Sequence, residues 1–221
     1  RVLAETFFAL GLIGHRNGIQ PILGRIRRSD SMSAEAAYEA AVALAKIGGE
    51  EAARTLTEVI SGSGDLARVR REQMLGAALI NAWRLGSSAP VTAMLRYVEH
   101  RDVDLRWRAL YSLGRIQAPS AGDAMLLAAR DDAALIREVA ARSLTSRFAD
   151  TAGIAGTTVR STLNRLMSDR EMGVRIAAVN SVATFRDSAL TELVVPLLED
   201  AERHVDKARQ EAEQRIDSFQ E

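Results

Sequence analysis

Apolar residues recur along this chain at i, i+3, i+4 and i+7, the beat of helices with one face turned to a core. Sustained apolar/polar alternation is missing, and no Asn-Gly or Asp-Gly turn joins β-branched runs, so strands are not expected. Six segments align in register: VLAETFFALGLIG from Val2, AAYEAAVALAKIG from Ala36, MLGAALINAWRLG from Met74, LRWRALYSLGRIQ from Leu105, IREVAARSLTSRF from Ile136 and VRIAAVNSVATFR from Val174. Their starts fall 31 to 38 residues apart, the spacing of a helical repeat. The fifth position is always small: Thr6, Ala40, Ala78, Ala109, Ala140 and Ala178. The ninth is apolar: Leu10, Leu44, Ala82, Leu113, Leu144 and Val182. The twelfth holds Ile13, Ile47, Leu85, Ile116 and Phe185, with one lapse at Arg147 beside Phe148. Small residues at a fixed helical position let helices approach closely, and large neighbours fill the seam.

Second helices lie between these segments, marked by Ile19, Ile22, Leu23 and Ile26, by Leu56, Val59 and Ile60, and by similar clusters farther on. The punctuation agrees: Gly14, Gly48, Gly49 and Gly86 fit helix ends, Ser33 and Asp104 fit N-caps, and Pro21, Pro90 and Pro119 fall near helix starts. Pro196, inside ELVVPLLED, is expected to kink its helix. The expected helices run roughly over 2–14, 18–28, 34–48, 50–61, 66–86, 89–100, 103–117, 120–130, 133–148, 156–168, 172–186, 188–200 and 203–219, in one repeat domain over 1–221. The stretch 149–156, ADTAGIAG, is expected to be the longest loop.

Three stretches, DVDLRWRALYSLGRI, DDAALIREVAARSL and DREMGVRIAAVNSV, resemble the Asp-turn-hydrophobic-Arg pattern of HEAT repeats, close to the bacterial HEAT-like type. The resemblance covers nearly the whole chain. It implies an all-α, right-handed α-solenoid: one orphan N-terminal inner helix, then about six outer–inner pairs. It also implies that the aligned segments are inner helices lining the concave side. Arg106, Arg137 and Arg175 match the family's arginine, which commonly bonds the acidic turn before it. Leu3, Ala37 and Leu75 stand there in the first three segments, so an arginine ladder is expected only in the C-terminal half. The final inner helix, RHVDKARQEAEQRI, carries a thin apolar stripe and reads as a polar cap or connector. Phe7, Phe8, Leu10 and Leu12 leave the first edge apolar, so the chain reads as a segment of a larger protein with neighbouring repeats or domains.

At roughly 100° per residue, positions three, seven and ten oppose the core side. Trp107 and Tyr111 fall there, with Tyr38, Val42, Ile80, Trp83 and Phe8, so five of the ten aromatics point to the expected groove. Lys46, Arg84 and Arg115 edge this aromatic half, and farther on the face turns polar at Glu138, Arg142 and Thr145. Two readings stay open: a binding stripe, since exposed rings give large contact area at low rotamer cost, or inter-repeat packing with incidental exposure. The candidate partner-binding residues are Phe8, Tyr38, Ile80, Trp83, Arg84, Trp107, Tyr111, Arg115 and Arg142.

Composition narrows the chemistry. Lysine plus arginine and aspartate plus glutamate both total 29, a neutral balance that disfavours a wholly nucleic-acid-binding surface. Cysteine is absent, which removes disulfides and thiolate metal sites. His15, His100 and His204 stand singly, with no metal-ligand spacing. No Walker loop, Gly-x-Ser-x-Gly elbow or dinucleotide fingerprint occurs, and GSGD at 62–65 reads as a loop. No catalytic, cofactor or metal residues are therefore assigned, and no apolar run approaches a membrane span. The leading expectation is a non-enzymatic scaffold that binds a protein or peptide in its groove. One alternative is the helical segment of a multidomain enzyme such as a cyclophilin-type peptidyl-prolyl isomerase. Another is a relative of HEAT-like DNA glycosylases or bilin lyases. Localisation is left open.

Overall fold

The computed structural model describes residues 1–28, 32–187 and 191–195. The expected helix over 203–219 and the Pro196 kink lie outside the described residues. Among the described residues every regular element is helical and no strand occurs. The helices are α1 (Val2–Ile13), α2 (Ile19–Ile26), α3 (Ala34–Ile47), α4 (Glu50–Ser61), α5 (Arg68–Asn81), α6 (Val91–Leu95) and α7 (Val103–Ile116). They continue with α8 (Gly122–Ala128), α9 (Ala134–Ser143), α10 (Ser146–Ala152), α11 (Gly156–Met167), α12 (Met172–Val182) and α13 (Thr191–Val194).

The aligned segments form one layer in which α1, α3, α5, α7, α9 and α12 each pack on the next. The repeat explains why. Ala40, Ala78, Ala109, Ala140 and Ala178 of the fifth position are completely buried, as are Leu44, Ala82, Leu113 and Leu144 of the ninth. Thr6 of α1 occupies the fifth position too, yet is exposed. Each buried leucine contributes about 2 kcal/mol or more. Such seams outweigh the buried hydroxyl contacts between the same helices, worth about 1 kcal/mol each. Those contacts are still regular: Ser112 Oγ donates to the Leu79 carbonyl and Ser181 Oγ to that of Ala141, both at 2.6 Å.

The intervening helices are tied along their own row. Arg96 Nη2 donates to the Ser61 carbonyl at 2.7 Å, and the Tyr97 hydroxyl to that of Ile60 at 2.8 Å, closing the end of α4. Arg165 Nη2 reaches the Ala129 carbonyl beyond α8 in the same manner, at 2.8 Å. These bonds occupy carbonyls that a helix end leaves without an intrahelical partner.

Several expected boundaries are corrected. The helix expected over 133–148 is two: α9 stops at Ser143, Leu144 leaves the helical region at φ −76° and ψ 62°, and α10 starts behind Thr145. Thr145 Oγ1 accepts from the Phe148 amide at 3.2 Å, an N-cap that wins over continuation. The Arg147 lapse marks this break, because Phe148 is fully buried by α10 while Arg147 stays exposed. The expected loop over 149–156 is largely helix, closed by Gly153 in the left-handed region and followed at once by α11. The helix expected over 66–86 is α-helical only to Asn81 and passes into a 3-10 segment, Ala82–Ser88, broken at Gly86. Between 89 and 100 the α-helix is limited to α6. Asp102, not Asp104, caps α7, accepting from the Asp104 amide at 2.9 Å.

The arginine ladder lies where the pattern implied, with an added partner. Arg106 Nη1 donates to the His100 carbonyl of the turn before it at 2.7 Å, and Nη2 meets Asp131 of the following turn at 3.0 Å. Arg137 donates to the carbonyls of Asp131 and Asp132 at 2.9 Å and grips Asp169 with Nε and Nη2, at 2.7 and 2.8 Å. Arg175 donates to the Asp169 carbonyl at 2.9 Å. The carboxylates met by Arg106 and Arg137 thus come from the turn before the next inner helix, beyond the intervening helices. The hydrogen bonds from Arg137 hold the Asp169 carboxyl below its ordinary range, against the opposing effect of burial.

Candidate functional site

The inner helices leave one face uncovered, and what fills it follows from register. Position seven turns outward or half-outward: Phe8 is 44% exposed, Val42, Ile80 and Tyr111 are half-buried, and Arg142 is exposed. Positions three and ten do not all follow the expectation. Ala4, Gly11 and Ala45 are buried, because this flank meets the neighbouring inner helix. A Cβ on Gly11 would stand 3.0 Å from the Ala43 Cα, which leaves no room for a larger residue. Position eleven, one turn beyond seven, supplies the cations Lys46, Arg84 and Arg115.

Phe8 from α1, Tyr38, Glu39, Val42 and Lys46 from α3, Ile80 and Asn81 from α5, Trp83 and Arg84 behind it, and Tyr111 from α7 line one depression of about 360 Å³. Six of the nine residues expected from sequence are therefore brought together: Phe8, Tyr38, Ile80, Trp83, Arg84 and Tyr111. Arg115 reaches the edge by stacking, its guanidinium 3.9 Å from the Trp83 ring and 5.7 Å from that of Tyr111. Trp107 is half-buried outside the lining, its ring centroid 5.9 Å from that of Tyr111. Arg142 stands apart, held by Glu138 at 2.6 Å on its own helix.

The rings are covered by cations rather than bare. Arg84 lies 4.5 Å from the Trp83 ring, and Lys46 Nζ lies 5.3 Å from that of Phe8. Such contacts are worth about 0.5–1 kcal/mol at exposed sites and hold flexible side chains in place. A further strap was not expected from sequence. Arg108 of α7 is held by Asp104 at 2.6 Å and crosses Gly76 of α5 to approach the Tyr38 hydroxyl of α3 at 3.5 Å. Glu39, Asn81 and Arg108 sit at positions four and eight, which carry no apolar signal. Only the glycine at position three of α5 hinted that something passes over it.

Residues 36–62, which make up α3 and α4, match the PBS lyase HEAT-like repeat model. The matched segment is thus a HEAT-like repeat set within an otherwise similar row of helices. A search of curated proteins gave no match. This HEAT-like segment contributes Tyr38, Glu39, Val42 and Lys46 to the depression. It also lines a second hollow of about 420 Å³ through Gly49, Ala53 and Arg54, and Arg84 belongs to both. The two described histidines serve turns: His15 Nδ1 accepts from the Asn17 amide and His100 Nδ1 from that of Asp102, while His204 lies outside the described residues. Among the described residues no cluster of His, Asp or Glu is arranged to hold a metal, and no helix is long and apolar enough to cross a membrane.

Proposed function

We propose that this chain is a HEAT-like repeat protein and a non-enzymatic interaction scaffold, a right-handed solenoid of one leading inner helix and about six outer–inner pairs. It receives a protein or peptide segment in the groove lined by Phe8, Tyr38, Ile80, Trp83, Arg84 and Tyr111, with Arg115 at its rim. One observation carries this reading. Four successive inner segments contribute aromatic or cationic side chains to a single depression. Aromatic anchors beside arginines are the residue types that dominate binding at protein interfaces. Trp107 acts behind the surface by supporting Tyr111, and Arg142 serves its own helix.

The test is a partner captured by the purified chain, identified, and titrated calorimetrically against wild type and Trp83→Ala/Tyr111→Ala. Loss of both rings is expected to weaken binding by about thirtyfold or more, with the helical circular dichroism unchanged. An unaltered Kd removes the groove from the proposal. A second reading is favoured by the description of the matching model: a PBS lyase-type protein whose groove takes a bilin. The flat rings and the cations suit a planar, dicarboxylate tetrapyrrole. Biliverdin titrated into the chain should then show a changed visible spectrum that Trp83→Ala abolishes; an unchanged spectrum ends that reading.

A further inference from the structure

Seven arginines of this neutral chain spend their charge locally. Arg54, Arg68, Arg106, Arg108, Arg137, Arg142 and Arg160 each meet a carboxylate at 2.6–3.3 Å. Lys46, Arg84 and Arg115 do not: among the described residues none of the three lies within ion-pair distance of a carboxylate. Instead they occupy one register position on three successive inner segments and rest on Phe8, Trp83 and Tyr111. A guanidinium laid against a ring keeps its in-plane N–H donors for something else. Arg84 commits only Nε, to Asn81 at 3.1 Å, and Arg115 only a long 3.5 Å contact to the Tyr111 hydroxyl. What remains is a pair of forked donors beside one indole, shaped for carboxylates.

We propose that the occupant of the groove is an acidic peptide segment of a partner protein, bound extended, with one carboxylate on Arg84 and Arg115 and another on Lys46. This rests on the scaffold reading above and deepens it. Adjacent packed helices lie about 8–10 Å apart, and an extended chain rises about 3.3 Å per residue. The two acidic residues therefore stand about three positions apart, with an apolar side chain between them against Ile80 and Val42. Glu39 stands two helical turns from Lys46 on α3 and fixes the polarity, because the segment must be uncharged or basic where it passes that carboxylate. Since Arg84 also lines the neighbouring hollow, an extended segment can run on past the groove. A nucleic acid suits the site less: Glu39 lies in the lining, the chain has no net charge, and the cations stop after three.

The test uses the full chain and fluorescein-labelled synthetic peptides of about twelve residues, one with Glu at every third position around a central Leu, the other with Gln replacing each Glu. Fluorescence anisotropy is expected to show binding of the Glu peptide at least about tenfold tighter than the Gln peptide, weakening as salt is raised. Arg84→Gln/Arg115→Gln should weaken the Glu peptide by about thirtyfold and leave the Gln peptide unmoved, with melting unchanged because both arginines are exposed. Equal binding of the two peptides, no binding of the Glu peptide at millimolar concentration, or an indifferent double variant overturns the proposal. Displacement of the peptide by single-stranded DNA at lower concentration than by free Glu peptide overturns it in favour of a nucleic acid. The scaffold reading fails separately. A captured partner lost by Trp83→Ala/Tyr111→Ala but indifferent to salt and to the arginine variants leaves the scaffold and removes the acidic ligand.

Discussion

Arg137 and Asp169 show what a single pair contributes to the fold. Both side chains are 9% exposed and joined by two short bonds, whereas Arg106 meets Asp131 with one bond and leaves its Nε buried without a partner. Breaking a buried, fully bonded pair costs about 3–5 kcal/mol, so Asp169→Asn is expected near that figure and Asp131→Asn well below it, read from urea unfolding. Acid acts on the same bond. The Asp169 carboxyl is lowered in the folded chain, so its contribution is complete above the ordinary carboxylate value and disappears as pH falls through the folded one. Wild type should lose stability progressively from about pH 5 downward, and Asp169→Asn should have a visibly flatter profile over that range. Equal slopes would deny the pair this role. The arginines of this ladder were legible in sequence, because residue type and register marked them. Their carboxylate partners were not, since Asp131 and Asp169 lie 25 and 32 positions from the arginines they meet. Local periodicity carries no information at that range.

Helices in this chain meet through small residues, and two glycines separate close packing from mere sequence. A Cβ on Gly114 of α7 would stand 2.9 Å from the Ser143 Cβ of α9, and nearer still to its hydroxyl. Gly24, within α2, has nothing within 4 Å. Gly114→Ala is therefore expected to destabilise by about 1–3 kcal/mol through forced displacement. Gly24→Ala should stabilise by about 0.5–1 kcal/mol by removing backbone entropy from the unfolded chain. Thermal melts of the two variants should move in opposite directions, and a common direction would refute the packing argument. At this scale the sequence spoke clearly about which helices exist and which faces they bury. It was mute where two local preferences compete. Thr145 offers an N-cap where the apolar beat lapses only at Arg147, and the capped start of α10 prevails because it buries Phe148 completely. The candidate site was legible to the same degree: position seven follows from helical geometry, while positions three and ten depended on how closely the next helix approaches.

Across the whole molecule, inner helices contact their neighbours in the row, so stability is expected to be local. Phe148→Ala, at a fully buried site in α10, should cost about 3–5 kcal/mol. Hydrogen exchange should report that loss in α9 to α12 and leave the amides of α3 and α4 protected as before. A uniform rise in exchange from α1 onward would mean a single cooperative unit instead. Arg108 is an exception to the neighbour rule. Its reach across Gly76 to Tyr38 links helices two places apart, spanning 70 positions where the serine contacts between adjacent helices span 33 and 40. Rows of stacked hairpins bend by small rotations accumulated at each joint. A brace thrown over one joint stiffens the stretch beneath Trp83 and Tyr111, so that an incoming segment would meet a surface whose curvature is already set.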